Sequence, residues 1–189
     1  MTIEDLPDIV YHGTISIYKD SLLTGIDVNR GYYSADFGQG FYTTGNYEQA
    51  KNIAISRTDT YLLDHIEEKA VPMVITFKLD VMRLNEFKGI IFEKNSYNEW
   101  VEFVYNNRVG LSHIISNKHN LKGKYHYVYG FVADSSMSKM IREIRKNRIT
   151  FGDFADNIKP LKCGQYNQLS FHSEEIVKLL SVSQIDFCN

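Results

Sequence analysis

Three short stretches of the chain hold side chains whose types can do chemistry together. They are His12 and Gly13 in "IVYHGT", Tyr42 in "DFGQGFYTT" and Gln168 in "YNQLSFHS". An imidazole nitrogen hydrogen-bonds a hydroxyl, and a phenol ring offers a flat face for stacking. Backbone at a glycine, with no side chain in the way, can approach a carboxamide closely. If the fold brings these groups together, they suit a planar ring that bears an amide and is joined to a sugar. Taken singly, each has a duller reading: His12 ends a strand, Tyr42 fills core, and Gln168 pairs with backbone.

The elements around these residues read as follows. "DIVYHG" (8–13) is a short strand, and "SIYKDSLLTGI" is a helical turn closed by Gly25. A glycine-rich loop leads into the strand "GFYTT". Asn46 with Gln49 three residues on is a capping-box pattern, opening the helix "YEQAKNIAISR" with Tyr47, Ala50, Ile53 and Ala54 on one face. "VPMVITFKLD" is a buried-type strand and "GIIFEK" a weaker one. Ser96 with Glu99 predicts a second capping box, before a helix whose Trp100, Val101, Phe103 and Val104 point inward. "KYHYVYGFVAD" reads as a long strand, "SSMSKMIREIRKNR" as an amphipathic helix capped by Ser135 or Ser136, and "NQLSFHS" as the last strand. Ser173 is then expected to start a helix over "EEIVKLLS". Strands and helices interleave without the even spacing of a doubly wound sheet, so an α+β fold with helices around two small packed sheets is expected.

Composition narrows the function classes. The 189 residues suit one domain with a full core, and 43% hydrophobic with 23% charged residues is ordinary for a globular protein. A net charge of -2 makes no global case for nucleic acid or membrane, so any partner surface is local. The acidic start "MTIEDLPDI" does not read as a signal peptide, no run is long enough to cross a bilayer, and the chain is expected to be cytoplasmic. Cys163 and Cys188 lack metal-type spacing and read as reduced thiols. "GQGFYT" has Thr43 where the dinucleotide fingerprint needs its third glycine, and a strand follows where a helix should. His113, His119 and His126 have no Cys or paired carboxylate nearby, and no metal site is expected. Asp134, at the end of "YGFVAD", is the most suggestive acid, although a carboxylate there is also a common turn former.

Taken in order, "YHGT", "GQGFYTT" and "NQLSF" resemble the histidine-tyrosine-glutamate branch of the ADP-ribosyltransferase superfamily, the poly-ADP-ribose polymerase-like branch. With "EWVEFVYNNR", "YGFVAD" and "QLSFHSEE", the set is similar to a bacterial family within it, the domain-of-unknown-function family 3990, from about residue 9 to 180. The resemblance implies an ADP-ribosyltransferase-like split β-sheet core in a single domain over 1–189. It also implies NAD as substrate, without metal. In that setting His12 would hydrogen-bond a ribose hydroxyl, Gly13 would be the backbone edge, and Tyr42 would stack on nicotinamide. Thr14 and Gly40 would shape the pocket. The superfamily's third residue is a glutamate, and here Gln168 stands at the matching place, able to accept a hydrogen bond but uncharged. Asp134 is then the candidate supplier of negative charge, and Gln168→Glu is expected to preserve activity or shift it toward NAD hydrolysis.

The function that follows is mono-ADP-ribosyl transfer from NAD to a protein or nucleic acid. The resemblance further implies a bacterial toxin or phage-defence effector held by a neutralising antitoxin. Lys139, Arg142, Arg145, Lys146 and Arg148 form either a solvated basic helix face or a docking surface for nucleic acid or an acidic partner. Two other readings stay open: a non-catalytic NAD or ADP-ribose binding module acting through a partner, and a plain nucleic-acid-binding domain built on that helix.

Overall fold

A computed structural model describes residues 2–66, 69–134 and 137–188. The chain is mixed α+β, with two sheets in face-to-face contact and helices on both outer sides. The first sheet has the order β1 (Ile9–Ile15), β3 (Pro72–Leu79), β7 (Leu180–Phe187), antiparallel throughout. The second has the order β2 (Phe41–Thr43), β6 (Asn167–Phe171), β5 (Tyr127–Phe131), β4 (Gly89–Ile91), with only β4 and β5 parallel.

Strand alternation sorts the side chains into layers. Val10, Phe41, Met73, Ile75, Phe77, Leu169 and Phe171 turn between the sheets and form one core. The other face of the first sheet offers Val74, and α2 (Tyr47–Asp64) covers it with Ala50 and Ala54. The other face of the second sheet, with Val128, is covered by α3 (Tyr97–Val109), α4 (Met137–Arg145) and α5 (Phe151–Asn157). Trp100, Val101, Phe103 and Val104 are buried there as their spacing predicts, and the Trp100 indole N–H donates to Phe131 O at 3.2 Å. A short α1 (Lys19–Thr24) ends at Gly25 as expected.

The helix caps differ from the sequence pattern in an informative way. Asn46 caps α2 by accepting from Gln49 N–H at 3.0 Å. The Gln49 side chain does not return to the cap. It accepts from the Thr44 hydroxyl at 3.0 Å and donates to Asn167 O at 2.8 Å, tying α2 to both β2 and β6. Ser96 makes no side-chain cap on α3; its hydroxyl closes the preceding turn on Glu93 N–H at 2.7 Å. The expected Ser135 or Ser136 cap lies outside the described residues.

Two expectations are corrected. The helix expected over "EEIVKLLS" is one short 3-10 turn, Ile176–Leu179, and the chain then runs out as β7. Residues 176, 179 and 180 have helical spacing, yet pairing with β3 from Leu79↔Leu180 to Met73↔Phe187 satisfies the backbone better. The strand expected over 124–134 is only Tyr127–Phe131, because beyond it Ala133 bridges to Pro160 instead of continuing beside β6.

Candidate functional site

The site forms where the two sheets meet and part. β1 and β2 lie on adjoining edges of different sheets and are joined by one antiparallel bridge: Tyr11 N–H donates to Thr44 O at 2.8 Å, and Thr44 N–H to Tyr11 O at 3.0 Å. Backbone groups two residues apart on a strand point the same way, so the N–H and C=O of Gly13 also face away from β3. Beyond the bridge the strands diverge around a cleft of about 70 Å³, lined by His12, Gly13, Tyr42, Arg57 and Gln168 among others. Four residues singled out by type alone, from three distant stretches, therefore share one cavity.

Gly13 is dictated by packing as well as by any ligand. A Cβ there would lie 1.9 Å from Ala50 O, because the backbone of α2 sits directly on the strand. Its C=O accepts from Arg57 at 3.1 Å, and Arg57, otherwise exposed, reaches down from α2 to the cleft.

The His12 ring stacks on Phe41 with centroids 4.4 Å apart, and its Nδ1 lies 2.7 Å from Tyr42 O. A carbonyl only accepts, so Nδ1 carries the proton, and Nε2 of the neutral ring is an acceptor. Burial first, then the Arg57 cation, push the His12 pKa down to about 3 against the opposing bond to Tyr42 O, so the ring is neutral at physiological pH.

Tyr42 and Gln168 lie on the same face of their sheet, since Tyr42 pairs with Ser170 across the ladder, two residues beyond Gln168. The Tyr42 hydroxyl donates to Gly38 O at 2.6 Å and accepts from Phe37 N–H at 3.0 Å. Burial and the Asp36 carboxylate both raise its pKa, so it stays a neutral phenol fixed by the loop before it. Gln168 is buried, and its Nε2 donates to Asp36 Oδ2 at 2.9 Å and to Phe131 O at 3.0 Å. Both amide protons are thereby used, which fixes the amide orientation and leaves Oε1 as its free acceptor.

Three residues that sequence reasoning missed complete the arrangement. Asp36 is 4% exposed and takes Arg108 Nε and a terminal guanidinium nitrogen on Oδ1 at 2.9 and 2.6 Å. Arg57 supplies the cleft cation. His172 stands edge-on to Tyr42, donates through Nδ1 to Gln39 O at 2.7 Å and accepts at Nε2 from the Ser170 hydroxyl at 2.8 Å. Burial pulls its pKa down to about 4, keeping that tautomer neutral. "ADFGQG" placed Asp36 beside the motif, but its partners stand 72 and 132 residues away, and no spacing reveals that.

The other expected residues lie apart from the cleft lining. Thr14 is buried in β1 opposite Met73. Gly40 allows the loop to close on β6, since a Cβ there would lie 2.5 Å from Phe171 O. Asp134 is not brought to the cleft: its N–H donates to Lys159 O at 3.1 Å, and its charge adds to burial in raising the pKa of Tyr97 on α3. His113, His119 and His126 bond separately to Ser112, Leu121 and Ser173. Among the described residues no group of three or more His, Cys, Asp or Glu is placed to hold a metal, and no helix is long and apolar enough to cross a membrane. Lys139, Arg142 and Arg145 are exposed on α4 opposite buried Met137, Ile141 and Ile144, and Lys146 and Arg148 are exposed just beyond its end; Arg145 donates to Arg108 O at 2.7 Å and Arg148 to Glu143 at 3.1 Å. A larger cavity of about 340 Å³ lies beside β4 and α3, lined by Phe92, Glu99, Phe103, Lys118 and Tyr125, but none of the motif residues reaches it.

Comparison with curated proteins and with solved structures finds no match. A family described as "Protein of unknown function (DUF3990)" matches residues 9–182, nearly the whole chain with β1, β2, β6 and the cleft included, and the chain belongs to that family.

Proposed function

We propose that the chain is a mono-ADP-ribosyltransferase that transfers ADP-ribose from NAD to a macromolecule, and that its two sheets form an ADP-ribosyltransferase-like core. The observation that carries this reading is the convergence of His12, Gly13, Tyr42 and Gln168 on one cleft between diverging strands. The reaction breaks the bond between ribose C1′ and the nicotinamide nitrogen, whose electron pair leaves with nicotinamide. An acceptor nucleophile then bonds to C1′ and releases its proton. The protein's work is to hold the leaving ring and to stabilise positive charge on the ribose. His12 Nε2, a neutral acceptor, suits a ribose hydroxyl. The Gly13 edge suits the carboxamide, Tyr42 the ring face, and Gln168 Oε1 the second ribose hydroxyl.

The cleft of about 70 Å³ lies below the roughly 300–1,000 Å³ of sites that enclose a whole ligand. Only the nicotinamide end would enter it, with Arg57 moving off Gly13 O to make room. Single transfer is favoured over chain extension. The exposed basic residues of α4 and of the turn after it tilt the acceptor toward nucleic acid, whose phosphate contacts would make binding strongly salt-dependent. A toxin or phage-defence role with a neutralising antitoxin follows from the resemblance.

The test is release of nicotinamide from labelled NAD by the purified protein in a cell lysate, with His12→Ala alongside. Label that enters a macromolecule and is removed by nuclease or by protease identifies the acceptor class. The uncharged Gln168 and the occupied Gly13 carbonyl favour a second reading, a non-catalytic NAD-binding module. It predicts that NAD raises the melting temperature without nicotinamide release.

A further inference from the structure

Asp36 occupies a place that loop anchoring alone does not explain. Arg108 binds only Oδ1, at 2.6 and 2.9 Å, and would by itself hold the loop. Oδ2 turns the other way, toward Gln168 Nε2 at 2.9 Å, with Ala133 N–H at 3.3 Å as its remaining partner. Asn107 Nδ2 donates to Asp36 O at 3.2 Å, so the backbone of Asp36 is pinned from α3 as well. The two residues that follow Asp36 hold the Tyr42 hydroxyl through Phe37 N–H and Gly38 O. One buried carboxylate thus lies directly behind two residues that line the cleft. The Arg108 side chain is 22% exposed against 5% for Asp36, so water screens the cation more than the anion.

We propose that Asp36 is a positioning residue: it fixes the Gln168 amide with Oε1 toward the cleft, and it sets behind that amide the negative charge a ribosyl cation needs. This rests on the transferase reading above. A glutamate at position 168 would hold charge and hydrogen-bond acceptor in one group. Here the two are divided, with the acceptor on Gln168 and the charge one hydrogen bond further back. Asp134 is then not required as the acid.

The experiment measures nicotinamide release by wild type, Asp36→Asn and the double variant Asp36→Asn with Gln168→Glu, with folding checked by melting curves. In Asp36→Asn an amide that donates faces the Gln168 amide, so orientation and charge are both lost. The expected result is a kcat at least 100-fold lower with KM within threefold. The double variant reverses the polarity of the pair, with the new amide donating to the new carboxylate, and should recover at least tenfold over the single variant. A folded Asp36→Asn within threefold of wild-type kcat overturns the proposal, as does a double variant no better than the single one. Should Asp36→Asn not fold, the wild type decides by NMR. Both Gln168 Nε2 protons should resist exchange with solvent and keep their shifts when ADP-ribose is added, and rapid exchange overturns the proposal. Absence of release by wild type would instead refute the transferase reading itself.

Discussion

Gln168→Glu changes one atom, and its cost can be worked from the distances. An oxygen replaces Nε2, 2.9 Å from Asp36 Oδ2 and 3.0 Å from Phe131 O, where two donated bonds are now made. Two ionised carboxylates at that distance repel by about 6 kcal/mol at an effective dielectric constant of about 20. Keeping the new carboxyl protonated at pH 7, from an unfolded pKa near 4.3, costs about 4 kcal/mol. Protonation is cheaper, and the added O–H donates to Asp36, so the folded variant carries a neutral glutamic acid. Its pKa is raised above the unfolded value, so the variant's stability is greatest at low pH and is lost as pH rises. Relative to wild type, protonation adds about 4 kcal/mol to the deficit at pH 7 and about 1 kcal/mol at pH 5, on top of about 1 kcal/mol at either pH for the lost bond to Phe131 O. Urea unfolding of both proteins at the two pH values measures this, and a deficit equal at both to within 1 kcal/mol refutes the argument. The same reasoning revises what glutamate would do for activity. It arrives uncharged beside Asp36 and restores no charge, so nicotinamide release should not exceed that of wild type.

Other expected outcomes follow from the same contacts. Tyr42→Phe keeps the ring face but strands Gly38 O and Phe37 N–H, and should lower stability by about 1–3 kcal/mol while Tyr42→Ala abolishes nicotinamide release. Gly13→Ala forces β1 off α2 and should cost about 3 kcal/mol in chemical unfolding, so a dead variant at this position reports on packing before it reports on chemistry. His12 and His172, with pKa values held near 3 and 4, are neutral in the fold while the unfolded chain titrates near 6.5. Their contribution to stability is complete above pH 6.5 and falls as pH is lowered, so the melting temperature should already decline between about pH 6.5 and 5, above the carboxylate range. A melting temperature that is flat over that interval contradicts the assignment. Arg57→Ala removes a nearby cation and should move the His12 titration, followed by NMR, upward from its value near 3.

Much of this architecture was legible because it is written in local pattern. Asn46 announces the start of α2, and the buried spacing of Trp100, Val101, Phe103 and Val104 announces the inner face of α3. β7 was not legible, because "IVKLL" satisfies a helical period and only the exposed edge of β3 makes extended pairing better. Gly13 was legible by type but for one reason in place of two, since the helix crossing at Ala50 demands glycine whether or not a ligand ever binds. Asp36 is the opposite case. Nothing in its flanking residues distinguishes it from a turn former, and its role exists only where α3 and β6 meet behind the loop.

The Tyr11–Thr44 bridge also fixes the mouth of the cleft, because it ties the edges of two sheets whose faces share one core. Gln49, bonded to Thr44 and to Asn167, braces that tie from α2. Gly13 lies two residues along the strand, about 7 Å from it at roughly 3.3 Å per residue. Across the gap the His12 ring adds a second tie through its bond to Tyr42 O. The aperture is thus clamped at its inner end and stayed across its width, so whatever enters meets walls whose spacing was set when the chain folded.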